Sequence, residues 1–327
     1  MSSARLAAAL LGLGLVAAGC SSETEPGGAP RPEGTANPSG EGSGTTPPTS
    51  AEPTQERTRR VRTGDFRVGI AVRTVHRLAG GIGPRHATSP AFDRAAAWVA
   101  GELEAMGYDV RRQGVAVPAG VSWGVPVDAG TSVNVIATPR GFDPRRPHLV
   151  LGAHLDTVPQ APGAEDNASG VGVVMAAAEA TAERRTRLPV VLVAFGAEEP
   201  RGATDADHHY GSRAYVAALG PAERRAVRGM LSLDRVGVGT VVPVSSAGPS
   251  GDGQRREVLD AARRAGVPTD AQVNRSSDHW SFARTGLPGI RIGSTPYAAY
   301  HSAADLPPVV SRGQLARTGR VVLAWLR

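Results

Sequence analysis

The sequence predicts an α/β fold, a mostly parallel mixed sheet sandwiched between helices in a single domain. Three observations carry that prediction. Short apolar runs at 148–153, 189–195 and 229–233 are bounded by turn or helix signals, the pattern of buried parallel strands. Segments with apolar residues at helical spacing lie between them, so strands and helices alternate along the chain. Polar residues capable of chemistry, His154, Glu198 and Asp234, come just after those runs, and in open α/β sheets sites gather at the carboxyl ends of the strands.

In chain order, 65–79 and 90–106 read as helices, the second closing at Gly107, a common helix stop. Residues 108–117 and 132–138 read as strands, followed by the strand that ends at His154. A small-residue helix over 168–183 leads into the strand ending at Phe195. Helices over 211–219 and from Glu223 precede the strand that ends at Asp234, and a short strand over 241–244 and a helix over 255–265 follow. The pattern closes with a helix at 278–285, a strand at 288–292 and a helix at 314–326, without any internal repeat.

The first part of the chain is different in kind. One basic residue, Arg5, precedes the thirteen-residue apolar run 6–18, too short to span a bilayer core but suited to the apolar region of a secretory signal. Ala17-Ala18-Gly19 directly before Cys20 resemble the lipobox of bacterial lipoproteins. That resemblance implies a signal peptide over 1–19 and lipidation of Cys20. The protein would then be extracytoplasmic and lipid-anchored to the bacterial cell membrane, with plain secretion as the alternative. Cys20 is the sole cysteine, which leaves no intramolecular disulfide and no cysteine-rich metal site. Residues 21–60 contain no Val, Ile, Leu, Met or aromatic residue but seven prolines and six glycines, so this stretch cannot bury enough apolar surface to offset its ordering entropy. A disordered tether is expected over 20–64, with an r.m.s. reach of roughly 35 Å, ahead of a folded domain at 65–327.

The net charge of +6 comes entirely from arginine, since the chain has no lysine. Those arginines are scattered, and no nucleic-acid reading element accompanies them, so nucleic acid is not an expected partner.

Five short pieces hold the chemistry: His154-Leu155-Asp156, Asp166, Glu198-Glu199, Asp234 and His301. Two imidazoles and five carboxylates are the ligand types that zinc and similar ions take from a protein. Cutting an amide at neutral pH needs an activated water, a base for its proton and positive charge where the oxyanion develops. Two metals about 3.5–4 Å apart supply the first and third together, and they need a carboxylate between them. Asp166 is the natural bridge, because it lies in a turn just before a helix, where backbone amides can fix it. Adjacent residues at a strand end point in opposite directions, so one of Glu198 and Glu199 can bind metal while the other faces the water. Asp156, two residues beyond His154, is placed to orient that imidazole.

His154-Leu155-Asp156-Thr157, Asp166-Asn167-Ala168-Ser169-Gly170, Glu198-Glu199, Leu233-Asp234, Ser277-Asp278-His279 and Tyr300-His301-Ser302 resemble, in order, the motifs of the bacterial co-catalytic dizinc aminopeptidases. The resemblance covers nearly all of 65–327 and implies a zinc-aminopeptidase-like fold. It also implies two zinc ions, with other divalent ions as substitutes: His154 and Asp234 hold one, Glu199 and His301 the other, and Asp166 bridges them. It gives Glu198 the role of general base and has Tyr300 help stabilise the tetrahedral intermediate. The implied substrates are peptide or protein N-termini, often with a large apolar first residue. Asp278 reads either as a partner standing behind the metal site or as the cap of the helix after it. Trp280 reads as a pocket wall or a core residue, and Glu165, His148, His76 and His86 as structural groups.

The sequence departs from the family pattern at 200–210, a stretch carrying Asp205, Asp207, His208 and His209 that reads as a solvated surface loop. A substrate-selecting lip or an extra metal contact is the sharper alternative. Other functions open at this stage are a glutaminyl-cyclase-like acyltransferase with a single zinc, a carboxypeptidase relative, and a binding lipoprotein that keeps the fold without catalysis.

Overall fold

A computed structural model describes residues 59–327. The expected signal at 1–19, Cys20 and the tether as far as residue 58 lie outside the described residues. The last residues of the expected tether do not behave as one. Val61 is fully buried and its N–H donates to Arg185 O at 3.0 Å, so the folded unit starts before Asp65.

The helices are α1 (Val68–Val75), α2 (Pro90–Ala105), α3 (Gly170–Thr181), α4 (Tyr210–Ala218), α5 (Pro221–Ala226), α6 (Asp252–Arg264), α7 (His279–Ala283) and α8 (Arg312–Leu326). The strands are β1 (Asp109–Val117), β2 (Gly120–Ser122), β3 (Val125–Val127), β4 (Gly130–Thr138), β5 (His148–His154), β6 (Val190–Phe195), β7 (Val227–Leu233), β8 (Val242–Ser246), β9 (Thr269–Val273) and β10 (Ile290–Ile292). Eight strands form one sheet in the order β1-β4-β6-β5-β7-β10-β8-β9, while β2 and β3 make a separate hairpin. The pairings β5 with β6, β5 with β7, β7 with β10, and β8 with β9 are parallel, and the other three are antiparallel. The predicted mixed, mostly parallel α/β sheet is the observed one.

Helices cover both faces. Every residue of β5 is buried; alternation sends Leu149, Leu151 and Ala153 into the larger core with α1, α2, α3 and α8, and Val150 into a second core with α4 and α7. Phe195, at the end of β6, packs edge-on against Tyr215 and Phe282 in the second core. Removing a ring so enclosed costs about 3–5 kcal/mol, so the strand end that carries the site is firmly anchored. Helix α3 is made of small residues because it must lie close to α1, where a Cβ at Gly172 would come 2.7 Å from Ala71 O. Ser89 caps α2 by accepting from Phe92 N at 3.1 Å, with Pro90 in the first turn.

Some boundaries differ from the sequence reading. The expected helix over 65–79 is a 3-10 turn, then α1, then a wider turn over His76–Ile82. The β2–β3 hairpin and β9 have no apolar run to announce them, and β9 is a largely exposed edge strand of mixed polarity.

Candidate metal centre

Parallel pairing sets His154 opposite Phe195, and Leu155 N–H extends the ladder to Phe195 O at 2.8 Å. On the other side β5 pairs with β7, whose continuation is Asp234, held by its N–H to Ile292 O at 3.0 Å. The carboxyl ends of β6, β5 and β7 thus stand side by side and bring Glu198-Glu199, His154 and Asp234 to one edge.

Asp166 arrives from a turn fixed by side chains. The Asp305 carboxylate accepts from Glu165 N at 2.8 Å and from Asp166 N at 3.1 Å, and Tyr297 OH donates to it at 2.9 Å. Arg85, fully buried, donates from Nε to Leu155 O at 2.7 Å and from its terminal nitrogens to Pro162 O at 2.6 Å and Gly163 O at 3.1 Å. Burial lowers its guanidinium to about 10, which leaves it charged at neutral pH. Asn167 donates to Leu233 O at 2.8 Å and accepts from Arg235 N at 3.3 Å, bracketing Asp234 and tying it to the Asp166 turn. Glu165 is a structural anchor, as expected, its carboxylate accepting from Gly237 N and Val238 N.

The two oxygens of Asp166 face two imidazoles. Oδ1 lies 3.1 Å from His154 Nε2, and Oδ2 lies 3.0 Å from His301 Nε2. His154 Nε2 is also 3.8 Å from Asp234 Oδ1, and His301 Nε2 is 3.7 Å from Glu199 Oε1. All five side chains are at most 7% exposed. Donor atoms of His154, Asp166 and Glu199 lie close enough to share one ion, as do those of His154, Glu198 and Asp234. His154 Nδ1 donates to Asp156 O at 3.1 Å, which turns Nε2 toward the cluster.

The electrostatics favour a cation here. Burial, then the charges of Asp166 and Glu198, push Glu199 well above the usual carboxylate range. Burial works the same way on Asp166 and Asp234, but the imidazoles of His154 and His301 hold Asp166 below its ordinary value, and Arg291 and His154 hold Asp234 well below its own. Asp234 Oδ1 is buried and accepts no hydrogen bond, an expensive state for a carboxylate oxygen that a metal ion would relieve. The donor set is the imidazole and carboxylate mixture that zinc accepts; the residues fit such an ion.

Asp156 orients the His154 imidazole through its carbonyl and has a further task for its carboxylate. Its carboxylate accepts from Glu198 N at 3.0 Å and Glu199 N at 3.1 Å, and lies 3.7 Å from His154 Nδ1, which turns instead to the Asp156 carbonyl. Two amides at a sharp turn need an acceptor, and the carboxylate satisfies both. Asp278 is fully buried without capping α7, and neither oxygen accepts a hydrogen bond; burial and the nearby Glu198 charge push it up to about 7. Tyr300 stacks on His301 with ring centroids 3.6 Å apart, and the Arg235 guanidinium lies 4.4 Å from the Tyr300 ring centroid.

The 200–210 stretch is a solvated loop only in its middle, 203–206. Arg201 and His209 at its ends are buried, and His209 Nε2 lies 3.1 Å from Glu198 Oε1. Among the described residues, the non-glycine residues with positive φ are Trp123, Ala197, His209, Arg235, Ser294 and His301, and every one belongs to a segment at this site. Such conformations are uncommon and concentrate where function fixes the backbone. Sequence reasoning missed Arg85, Asp305 and Arg291, whose partners lie far away along the chain.

Residues 134–326 match the model of Peptidase family M28. Aminopeptidase YwaD of Bacillus subtilis (strain 168) is 29% identical over 206 residues, 59% of this chain and 44% of that protein. A probable leucine aminopeptidase 2 of Aspergillus fumigatus is 28% identical over 175 residues, 50% of this chain and 33% of that protein. The chain spans less than half the length of these two relatives. In fold it is similar to BSAP, a zinc aminopeptidase from Bacillus subtilis, with a TM-score of 0.68 at 19% identity over 80% of this chain and 94% of that one. It is equally similar to Bacteroides thetaiotaomicron glutaminyl cyclase bound to N-acetylhistamine, with a TM-score of 0.67 at 22% identity over 80% and 97% of the two chains. The stretch that matches in sequence contains the whole cluster from His154 to His301, and the chain belongs to peptidase family M28.

Proposed function

We propose that the chain is a zinc-dependent aminopeptidase that hydrolyses the N-terminal peptide bond of peptides or proteins with two metal ions. The observation that supports this reading best is Asp166, which sets one imidazole against each of its oxygens, 3.1 Å and 3.0 Å away. In this reading His154 and Asp234 would hold one ion and Glu199 and His301 the other, with Asp166 available to both. When bound, the ions would acidify a water and supply positive charge to the developing oxyanion.

The remaining chemistry belongs to the chain. Glu198 takes the proton of the attacking water on a carboxylate oxygen and returns it to the leaving amine nitrogen, so the carboxylate is regenerated. Asp156, by holding the amides of Glu198 and Glu199, fixes where both carboxylates point. Tyr300, 37% exposed and stacked on His301, is assigned the role of assisting the tetrahedral intermediate through its hydroxyl.

The test is zinc content per chain together with release of N-terminal residues from a panel of aminoacyl chromogenic substrates. Two zinc ions with chelator-sensitive release support the reading. One zinc with cyclisation of an N-terminal glutamine and no hydrolysis would replace it with the cyclase. Glu198→Gln should keep both ions and lose turnover by about 10²–10⁴-fold; normal turnover would remove Glu198 as the base. We also propose that Cys20 carries a lipid that tethers the enzyme to the membrane. Cys20→Ala should then move the protein from the detergent phase to the aqueous phase, and unchanged partitioning would exclude the tether.

A further inference from the structure

The loop that departs from the family pattern returns to the site at His209 in a conformation few side chains adopt, with φ 58 and ψ 35. Its main chain is held on both sides: the N–H donates to Glu198 O at 2.9 Å, and the carbonyl accepts from Arg213 N at 3.0 Å and Ser212 Oγ at 3.3 Å. Its imidazole is 7% exposed and sets Nε2 at 3.1 Å from Glu198 Oε1. A left-handed residue costs an L side chain about 1–2 kcal/mol, so the surroundings must hold it there. What that conformation achieves is a second grip on Glu198, through the side chain as well as the backbone. His209 is absent from both sets of donors close enough to share an ion.

We propose that His209 is a positioning residue for the Glu198 base, an inference that rests on the function proposed above. A carboxylate free to turn about its last torsion offers either oxygen to the reaction. The His209 Nε2–H donates to Oε1 and stops that rotation. Oε2 is left as the oxygen that takes the proton from the attacking water and gives it to the leaving amine. The proton on Nε2 stays on His209 throughout, so the step balances with Glu198 alone cycling between acid and base. Misplacing a catalytic group by 1 Å can cost on the order of 10²-fold in rate, which is the scale on which such a grip acts.

Two substitutions separate the hydrogen bond from the fold. Asn tolerates the left-handed conformation but is too short to place its amide where Nε2 lies, whereas the longer Gln amide reaches it. His209→Asn should keep its zinc content and melting temperature while kcat falls about 10–100-fold with KM nearly unchanged, and His209→Gln should recover most of the loss. In a Glu198→Gln background, adding His209→Asn should cost nothing further, because the base through which it acts is already gone.

Additive losses in that double variant would overturn the positioning role. So would a Gln variant as poor as the Asn one, a rise in KM alone, or loss of zinc or of the native melt in both His209 variants. Normal turnover in Glu198→Gln itself would instead sink the base assignment, a distinguishable failure.

Discussion

The Arg291 guanidinium lies 2.8 Å from Asp234 Oδ2 and is wholly enclosed. Its other terminal nitrogen donates to Asn274 Oδ1 at 3.0 Å and Ser276 Oγ at 3.2 Å, so the strand β10 delivers a fixed positive charge to the back of a candidate metal ligand. Without metal, this arginine is the closest compensation for the Asp234 charge, Arg235 being 3.6 Å from Oδ1. Removing one partner of a buried pair costs about 3–5 kcal/mol because the other is left uncompensated. Arg291→Met should therefore lower the melting temperature strongly in chelator-treated protein and much less with zinc bound, since the ion takes over the neutralisation. Equal losses in the two states would show that Arg291 serves packing alone.

Asp305 was not singled out in the sequence, yet it accepts the two amides that position Asp166. In Asp305→Asn one of the two acceptor oxygens becomes an NH2 group facing an N–H donor, and the turn must shift. Outer partners of metal ligands are typically worth 10–100-fold in metal affinity. Zinc competition titration of Asp305→Asn should show a loss of about that size. Wild-type affinity would mean that the turn is fixed by Arg85 and Asn167 without it.

The contrast between Asp305 and His154 shows which parts of the site can be read from sequence. His154, Glu198-Glu199 and Asp234 are legible because apolar runs announce the strands and the residues come at their ends. Arg85, Asp305 and Arg291 are isolated charges in loops or a three-residue strand, and their partners lie 77, 139 and 17 positions away. Nothing local in the sequence records such pairings. The sheet was legible through its buried strands, while β9 and the β2–β3 hairpin, half exposed and of mixed polarity, were not. For 200–210, polarity correctly marks the exposed middle, but burial of His209 depends on a carboxylate eleven positions back, Glu198.

Trp123, at the tip of the β2–β3 hairpin, is 53% exposed, with its ring centroid 4.2 Å from that of His301 and 5.7 Å from that of Tyr300, both in edge-to-face arrangement. A large apolar surface left open beside the candidate ligands is suited to an apolar substrate side chain. Covering part of it is worth about 1–2 kcal/mol at ~25 cal/mol per Å². Trp123→Ala should raise KM for peptides with an apolar N-terminal residue by about 5–30-fold, with zinc content unchanged and kcat little affected. A uniform loss of kcat across substrates would instead place Trp123 among the groups that fix His301.

His279 gives the fold a pH dependence of its own. Its imidazole is completely buried, with Nε2 donating to Asn274 O at 2.8 Å and Nδ1 lacking a partner. Burial lowers its pKa from 6.5 to about 3, so the folded chain keeps it neutral while the unfolded chain protonates it near 6.5. The unfolded state therefore binds the extra proton, and the contribution of His279 is complete above pH 6.5 and falls away as the pH drops toward 3. Over that window the loss reaches about 5 kcal/mol at most. His279→Gln preserves a donor toward Asn274 O but cannot titrate. Denaturant unfolding of chelator-stripped protein should therefore show a shallower decline in stability between pH 6.5 and 3 in this variant than in the parent. Parallel declines would mean that the carboxylates of the metal cluster, and not this imidazole, govern acid unfolding.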